Sequence, residues 1–210
     1  ATEAFVSTLA SDFTDGLCIQ AIKMVFKYLE RSYKNGASDV EAKEKMHNAS
    51  CLAGMAFANA FLGMNHSMAH KVGGEFHVPH GRANAILLPF TIRYNGAQPE
   101  KLSTWPKYNY YKAAERYAEL ARILGLPAKT TAEGVESYAK ACGELGMKVG
   151  IQMNFKSQGI DEQAWMDAVE KLSYLAYEDQ CSPANPRVPM VSDMQKILKE
   201  AYSTTEFFEK

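Results

Sequence analysis

The chain has 210 residues, room for one large domain or two small ones with a real core. Lys and Arg number 23 and Asp and Glu 24, so the formal net charge of -1 offers nucleic acid or an anionic membrane no overall attraction. The longest apolar runs, such as "AILLPF" at 85–90, fall far short of the ~20 residues needed to cross a bilayer, and the opening residues lack the pattern of a secretory signal. The four cysteines (18, 51, 142 and 181) are scattered without a C-x-x-C, a usage that suits reduced thiols and a cytoplasmic protein.

Helical periodicity dominates from the start. "ATEAFVSTL" reads as the middle of a helix with no capping residue before it, as expected of a piece of a longer polypeptide. Between Asp15 and Tyr33 the residues Leu17, Ile19, Ile22, Val25, Phe26 and Leu29 form an apolar stripe, and Gly36 stands where that helix should stop. "SDVE" at 38–41 is a capping box with Ser38 as the cap, and it opens a largely apolar helix to about Leu62. A short helix around 66–72 should end at Gly73-Gly74. A loop through Pro79 then leads into a helix from Gly81 to Tyr94, kinked at Pro89.

The polar, Pro- and Gly-containing segment 95–109 reads as a long surface excursion. Caps at "TTAE" (130–133), at Asp161 and at "SDMQ" (192–195) announce three more helices. No run of alternating β-branched residues suggests a sheet, so the expected fold is all-α, a bundle of roughly eight helices. There is no G-x-G-x-x-G, no G-x-x-x-x-G-K-[ST] and no fixed-period repeat. Chemistry must come from the histidines or from a partner domain.

Four of the five histidines lie in "HSMAHKVGGEFHVPHG" (66–81). On a helix His66 and His70, four positions apart, share a face, and His80 follows a turn that can return its ring to the same place. Three converging imidazoles suit Zn, Fe, Co or Ni better than Mg or Ca. The plainer alternative makes them surface or hydrogen-bonded core residues. His77, just before Val78-Pro79, and His47, amid "EKMHNAS", read as structural. "DQCSPANPR" (179–187) is either a rigid connection between helices or a pocket-lining loop; Cys181 has no His or Lys near it in sequence to activate a thiolate.

The stretch "LAGMAFANAFLGMNHSMAHKVGGEFHVPHGRANAILLPFTIRYN" (52–95) resembles the signature region of the iron-containing (group III) alcohol dehydrogenases. "YEDQCSPANPRVPMVSDMQKIL" (177–198) and the insertion beginning "NGAQPEKL" resemble the branch of bifunctional aldehyde–alcohol dehydrogenases. The resemblance covers essentially the whole chain. It implies that residues 1–210 form the C-terminal, all-helical metal-binding domain, and that the N-terminal nucleotide-binding domain is absent from this chain. The isolated chain is then expected to be inactive.

The same resemblance implies that His66 and His80 are metal ligands, with an Asp and a His of a preceding Asp-x-x-x-His element completing the set. His70, which spacing alone would make a third ligand, instead matches a histidine near the nicotinamide that relays the alcohol proton. Phe57 and Cys181 match the lining of the substrate channel, and His77 is at most a neighbour of the ligands. The implied cofactors are Fe(II), with Zn(II) as a substitute, and NAD(H) in the complete enzyme. The implied substrate is a short aldehyde, acetaldehyde, and its alcohol, and the complete protein is expected to form a homo-oligomer or filament. A competing reading makes the chain an assembly module supplying such contacts.

Overall fold

A computed structural model describes residues 1–97 and 112–204 of the protein. Most of the expected excursion at 95–109 lies outside the described residues. Nine α-helices and no strand are found among the described residues: α1 (Thr2–Val6), α2 (Asp12–Asn35), α3 (Val40–Ala60), α4 (Met64–Phe76), α5 (His80–Gly96), α6 (Ala113–Ile123), α7 (Thr131–Lys148), α8 (Glu162–Tyr177) and α9 (Val191–Ser203). The all-α expectation holds. None of these helices is long and apolar enough to cross a membrane.

Three expected boundaries move, each for a local reason. The cap of α3 is Asp39, whose Oδ1 accepts the Ala42 N–H at 3.0 Å; Ser38 ends a tight turn and donates its hydroxyl to Asn35 O. The cap of α9 is Met190, not Ser192, and the Asp193 carboxylate reaches back to the Met190 N–H at 3.0 Å. Helix α4 runs straight through Gly73-Gly74 and stops only at His77, which takes a left-handed conformation at φ 55°. At Gly73 a side chain would stand 3.2 Å from Val78 O, so this glycine lets the returning chain pass close to the helix and does not end it. The caps at Thr130 and Asp161 are where the sequence puts them.

Two main hydrophobic clusters share α5. Trp165 is fully buried at the centre of the first, with the rings of Phe155, Phe76 and Tyr202 at 4.7, 5.3 and 5.7 Å and its indole N–H on Leu198 O. Ile86, Leu87 and Phe90 of α5 join this cluster with residues of α4, α8 and α9. Ile92 joins the second, where the stacked rings of Tyr117 and Tyr138 meet Phe5, Val6 and Ile22. A helix buried from two sides carries apolar residues nearly all round, which explains the long run in its sequence. Helix α5 therefore has little freedom to move, and His80 stands at its first position.

Candidate active site

The sequence places His66 and His70 one turn apart on α4, and the turn after His77 brings His80 back to them. Ring centroids lie 5.9 Å apart for His66–His70, 5.3 Å for His66–His80 and 5.6 Å for His70–His80. His77, in the turn between them, and His47, on α3, are both exposed. Three of the five histidines thus form one cluster, and each is held by a different partner.

His66 is held by Glu3. The buried Glu3 carboxylate meets His66 Nδ1 with Oε2, while Oε1 accepts the backbone N–H groups of Asn65 and His66 at 3.0 and 3.3 Å. A carboxylate only accepts, so His66 keeps its proton on Nδ1 and its lone pair on Nε2.

His80 is held by an amide relay. Asn65 Nδ2 donates to Asn84 O and to Asn84 Oδ1, which fixes the Asn84 amide so that its Nδ2 donates to His80 O at 3.0 Å and faces His80 Nε2 at 3.1 Å. His80 Nε2 therefore carries a lone pair that accepts from Asn84 Nδ2, and a metal at this nitrogen would take the place of that hydrogen bond. Burial, with the neighbouring His66 and His70, holds the His80 pKa below its ordinary value against the pull of Glu3, which favours the neutral ring a metal requires.

His70 is held by Asp179. Its Nδ1 lies 3.2 Å from Asp179 Oδ2, and Lys71 Nζ reaches the same oxygen at 2.8 Å. Asp179 Oδ1 accepts the Cys181 N–H at 3.0 Å. Burial opposes ionisation of Asp179, yet Lys71, the Cys181 N–H and His70 together hold its carboxyl well below the usual carboxylate range.

One donor atom each from His70, Asp179 and Cys181 falls within 4.8 Å, a second grouping that could take a metal. Lys71 already supplies a cation to Asp179, and burial, followed by the Asp179 charge, pushes the Cys181 thiol up to about 12. A protonated thiol beside a neutralised carboxylate is a poor ligand pair. The imidazoles of His66 and His80, the first backed by a carboxylate, are donors of a kind that suits a divalent transition metal.

Of the two expected channel residues, Cys181 is buried beside Asp179, whereas Phe57 lies on the last turns of α3 with 41% of its surface exposed. Neither lines the mostly apolar cavity of about 510 Å³ between α2, α3, α5 and α7, which includes Ile22, Val25, Phe26, Gly81, Leu88 and Tyr138. Sequence reasoning assigned no role to Glu3, Asp179, Lys71 or Asn84. Glu3 follows the chain start in "ATE" and Asp179 opens "DQCSPANPR", but their partners lie 63 and 109 residues away.

A helical bundle that closes three histidines around the start of one central helix is a recognisable class of domain. Residues 1–202 match the family model "Fe-containing alcohol dehydrogenase family, C-terminal". The chain belongs to the Fe-containing alcohol dehydrogenase family. Within it the chain is 66% identical over 202 residues to an aldehyde-alcohol dehydrogenase of Streptococcus pneumoniae, covering 96% of this chain and 23% of that protein. It is 43% identical over 212 aligned positions to the bifunctional aldehyde-alcohol dehydrogenase of Escherichia coli, covering 100% of this chain and 24% of that protein. Among solved structures, the alcohol dehydrogenase from Oenococcus oeni superposes with a TM-score of 0.82 at 36% identity, over 95% of this chain and 48% of that one. The chain thus spans about a quarter of the length of the aldehyde-alcohol dehydrogenases it matches.

Proposed function

We propose that the chain is the helical, metal-binding half of an NAD-dependent alcohol dehydrogenase that interconverts a short aldehyde and its alcohol, acetaldehyde and ethanol being the expected pair. The observation that carries this reading is the cluster of His66, His70 and His80, with ring centroids 5.3 to 5.9 Å apart and each ring held by its own partner. The relatives' activity as aldehyde-alcohol dehydrogenases, as their names state it, supports the substrate class. The nucleotide-binding half is expected from the remainder of the complete protein.

His66 would hold the metal through Nε2, and His80 through its own Nε2 once the Asn84 amide had released it, with further ligands from outside residues 1–210. Fe(II), or Zn(II) in its place, would supply Lewis acidity there when bound. The net reaction takes aldehyde, NADH and a proton to alcohol and NAD⁺. His70 serves the proton: Asp179 fixes Nδ1, leaving Nε2 to give a proton in reduction and to take one in oxidation. Buried residues of α4 and α5 anchor both helices, while His70 and His80 keep part of their surface exposed. The test is an NADH-linked acetaldehyde assay of the full-length protein before and after chelation. Loss of turnover on chelation and recovery with Fe(II) or Zn(II) supports the reading; full turnover in the metal-stripped protein overturns it.

A further inference from the structure

We propose that Glu3 is a positioning residue for His66, one buried carboxylate that fixes both the backbone and the ring tautomer of that histidine. The inference rests on the reading of His66 as a metal ligand, and it starts from the way α4 begins.

The first position before α4 is Gly63, which has no side chain to satisfy the free N–H groups of the first turn. It has no room for one either: a Cβ there would stand 2.6 Å from Asn185 Oδ1 and 3.1 Å from Glu3 Oε1. Capping is instead supplied from distant residues. The Met64 N–H donates to Asn185 Oδ1 at 3.2 Å, and the Asn65 and His66 N–H groups donate to Glu3 Oε1. An ordinary capping side chain would end its task there.

Glu3 does more, because Oε2 faces His66 Nδ1. The two oxygens of a single carboxylate are therefore divided, one to the main chain at position 66 and one to the ring of the same residue. The ring can neither flip nor move its proton to Nε2 without breaking that contact. Glu3 itself has little freedom: it is 5% exposed, and Ala4, Phe5 and Val6 beside it are packed into the second core cluster. An anion behind the ring also makes Nε2 a stronger donor to a cation.

Glu3→Gln separates this role from capping alone. The variant keeps one oxygen for the two N–H groups of α4 but turns an NH₂ toward Nδ1. An NH₂ donates, so Nδ1 must carry the lone pair and the proton moves to Nε2, where it opposes a metal. The experiment titrates the metal-stripped full-length protein with Co(II), read by its visible absorption, for wild type, Glu3→Gln and His66→Ala, with thermal melting as the control for folding.

The expected result is a Co(II) affinity about 10–100-fold weaker in Glu3→Gln, with an altered visible band and a helical content equal to wild type. Wild-type affinity in Glu3→Gln together with lost binding in His66→Ala overturns the role of Glu3 and leaves the metal site standing. Wild-type affinity in His66→Ala removes the metal reading itself, and the role of Glu3 with it. If Glu3→Gln loses helical content, Glu3→Asp takes its place in the same titration: it keeps the anion but is one methylene too short to serve both groups, and wild-type affinity in that variant overturns the proposal.

Discussion

His70 and Asp179 lie 109 residues apart in the chain and 3.2 Å apart in the fold, Nδ1 to Oδ2. The contact joins the middle of α4 to the connection that follows α8, and Lys71 braces it from the neighbouring position. Because the Asp179 carboxyl is held below the usual range, its contribution to stability is present above the unfolded carboxylate value of ~4 and is lost only as pH falls through the depressed folded value. It is therefore an anion throughout the neutral range. Asp179→Asn should lower stability by about 1–3 kcal/mol, the worth of hydrogen bonds to a charged group. On the proposed role of His70, turnover of the full-length protein should fall by about tenfold or more at unchanged metal content, since the ring's orienting partner is lost. Urea unfolding and steady-state assays on the same preparation check both parts.

A second acid-sensitive cluster joins α2 to α3. Arg31 forms two hydrogen bonds to Asp39, and with the Ala42 N–H and Asn35 it lowers the Asp39 pKa to about 2. The depressed value means that this contribution is complete above the unfolded value near 3.8 and disappears between pH 4 and 2. Asp39→Asn retains a capping oxygen but carries no charge. Its urea midpoint should therefore decline less steeply than that of wild type between pH 4 and 2, while the two proteins approach one another at the acid end. Parallel decline would show that the Arg31 pair has no linkage to folding.

The parts of this site that were legible in the sequence are those fixed by local geometry. His66 and His70 share a helix face whatever surrounds them, and the Pro79-His80 turn is short enough to be read directly. The extent of α4 was not legible, because glycines inside a helix and glycines that end one look alike until the neighbouring chain is known. Val78 O beside Gly73 decides the matter. Glu3 and Asp179 escaped for the same reason. Carboxylates are common along a helical chain, and only the tertiary fold brings these two to ring nitrogens, whereas Asn84 stands one turn after His80 on α5 and lay within reach of local spacing. Family resemblance offered roles for the histidines but none for the groups that hold them.

Gly63→Ala tests the crowded start of α4. The added methyl meets Asn185 Oδ1 at 2.6 Å, and Asn185 cannot withdraw freely because it is buried and bonds Asn95 Oδ1 at 2.7 Å. Overpacking of this kind should cost about 1–3 kcal/mol, seen as a lower melting temperature. A melting temperature equal to wild type would show that the Asn185 network yields without penalty.

The thiols should react in an order set by exposure and pKa. Cys51 is exposed, whereas Cys181 is buried with its pKa pushed up to about 12, and Cys142 is likewise raised to about 12 by burial. Iodoacetamide at pH 8 should label Cys51 within minutes and leave Cys181 and Cys142 largely unmodified in the folded protein. Peptide mapping by mass spectrometry reads the order directly. Early labelling of Cys181 would place an activated thiolate beside His70 and reopen the question of its role.

The three clustered histidines should separate into two behaviours in the full-length protein. On the proposed reading His66 offers the Nε2 that Glu3 leaves free and His80 the Nε2 that Asn84 would have to release, so replacing either with Ala removes a ligand and should empty the site. Elemental analysis should find little metal in either variant, and turnover should vanish with it. His70 differs because its Nδ1 is tied to Asp179, and the proposed function gives its other nitrogen to the proton. His70→Ala should keep near wild-type metal while turnover falls ~10²–10⁴-fold, the usual worth of a positioned acid–base group. Proximity alone does not distinguish these cases, since all three centroid distances lie between 5.3 and 5.9 Å. Metal content does. Stoichiometric metal in His66→Ala or His80→Ala would unseat those ligands. Its loss from a folded His70→Ala protein would move His70 onto the metal, and the grouping of His70 with Asp179 and Cys181 would then become the stronger candidate for the coordination site.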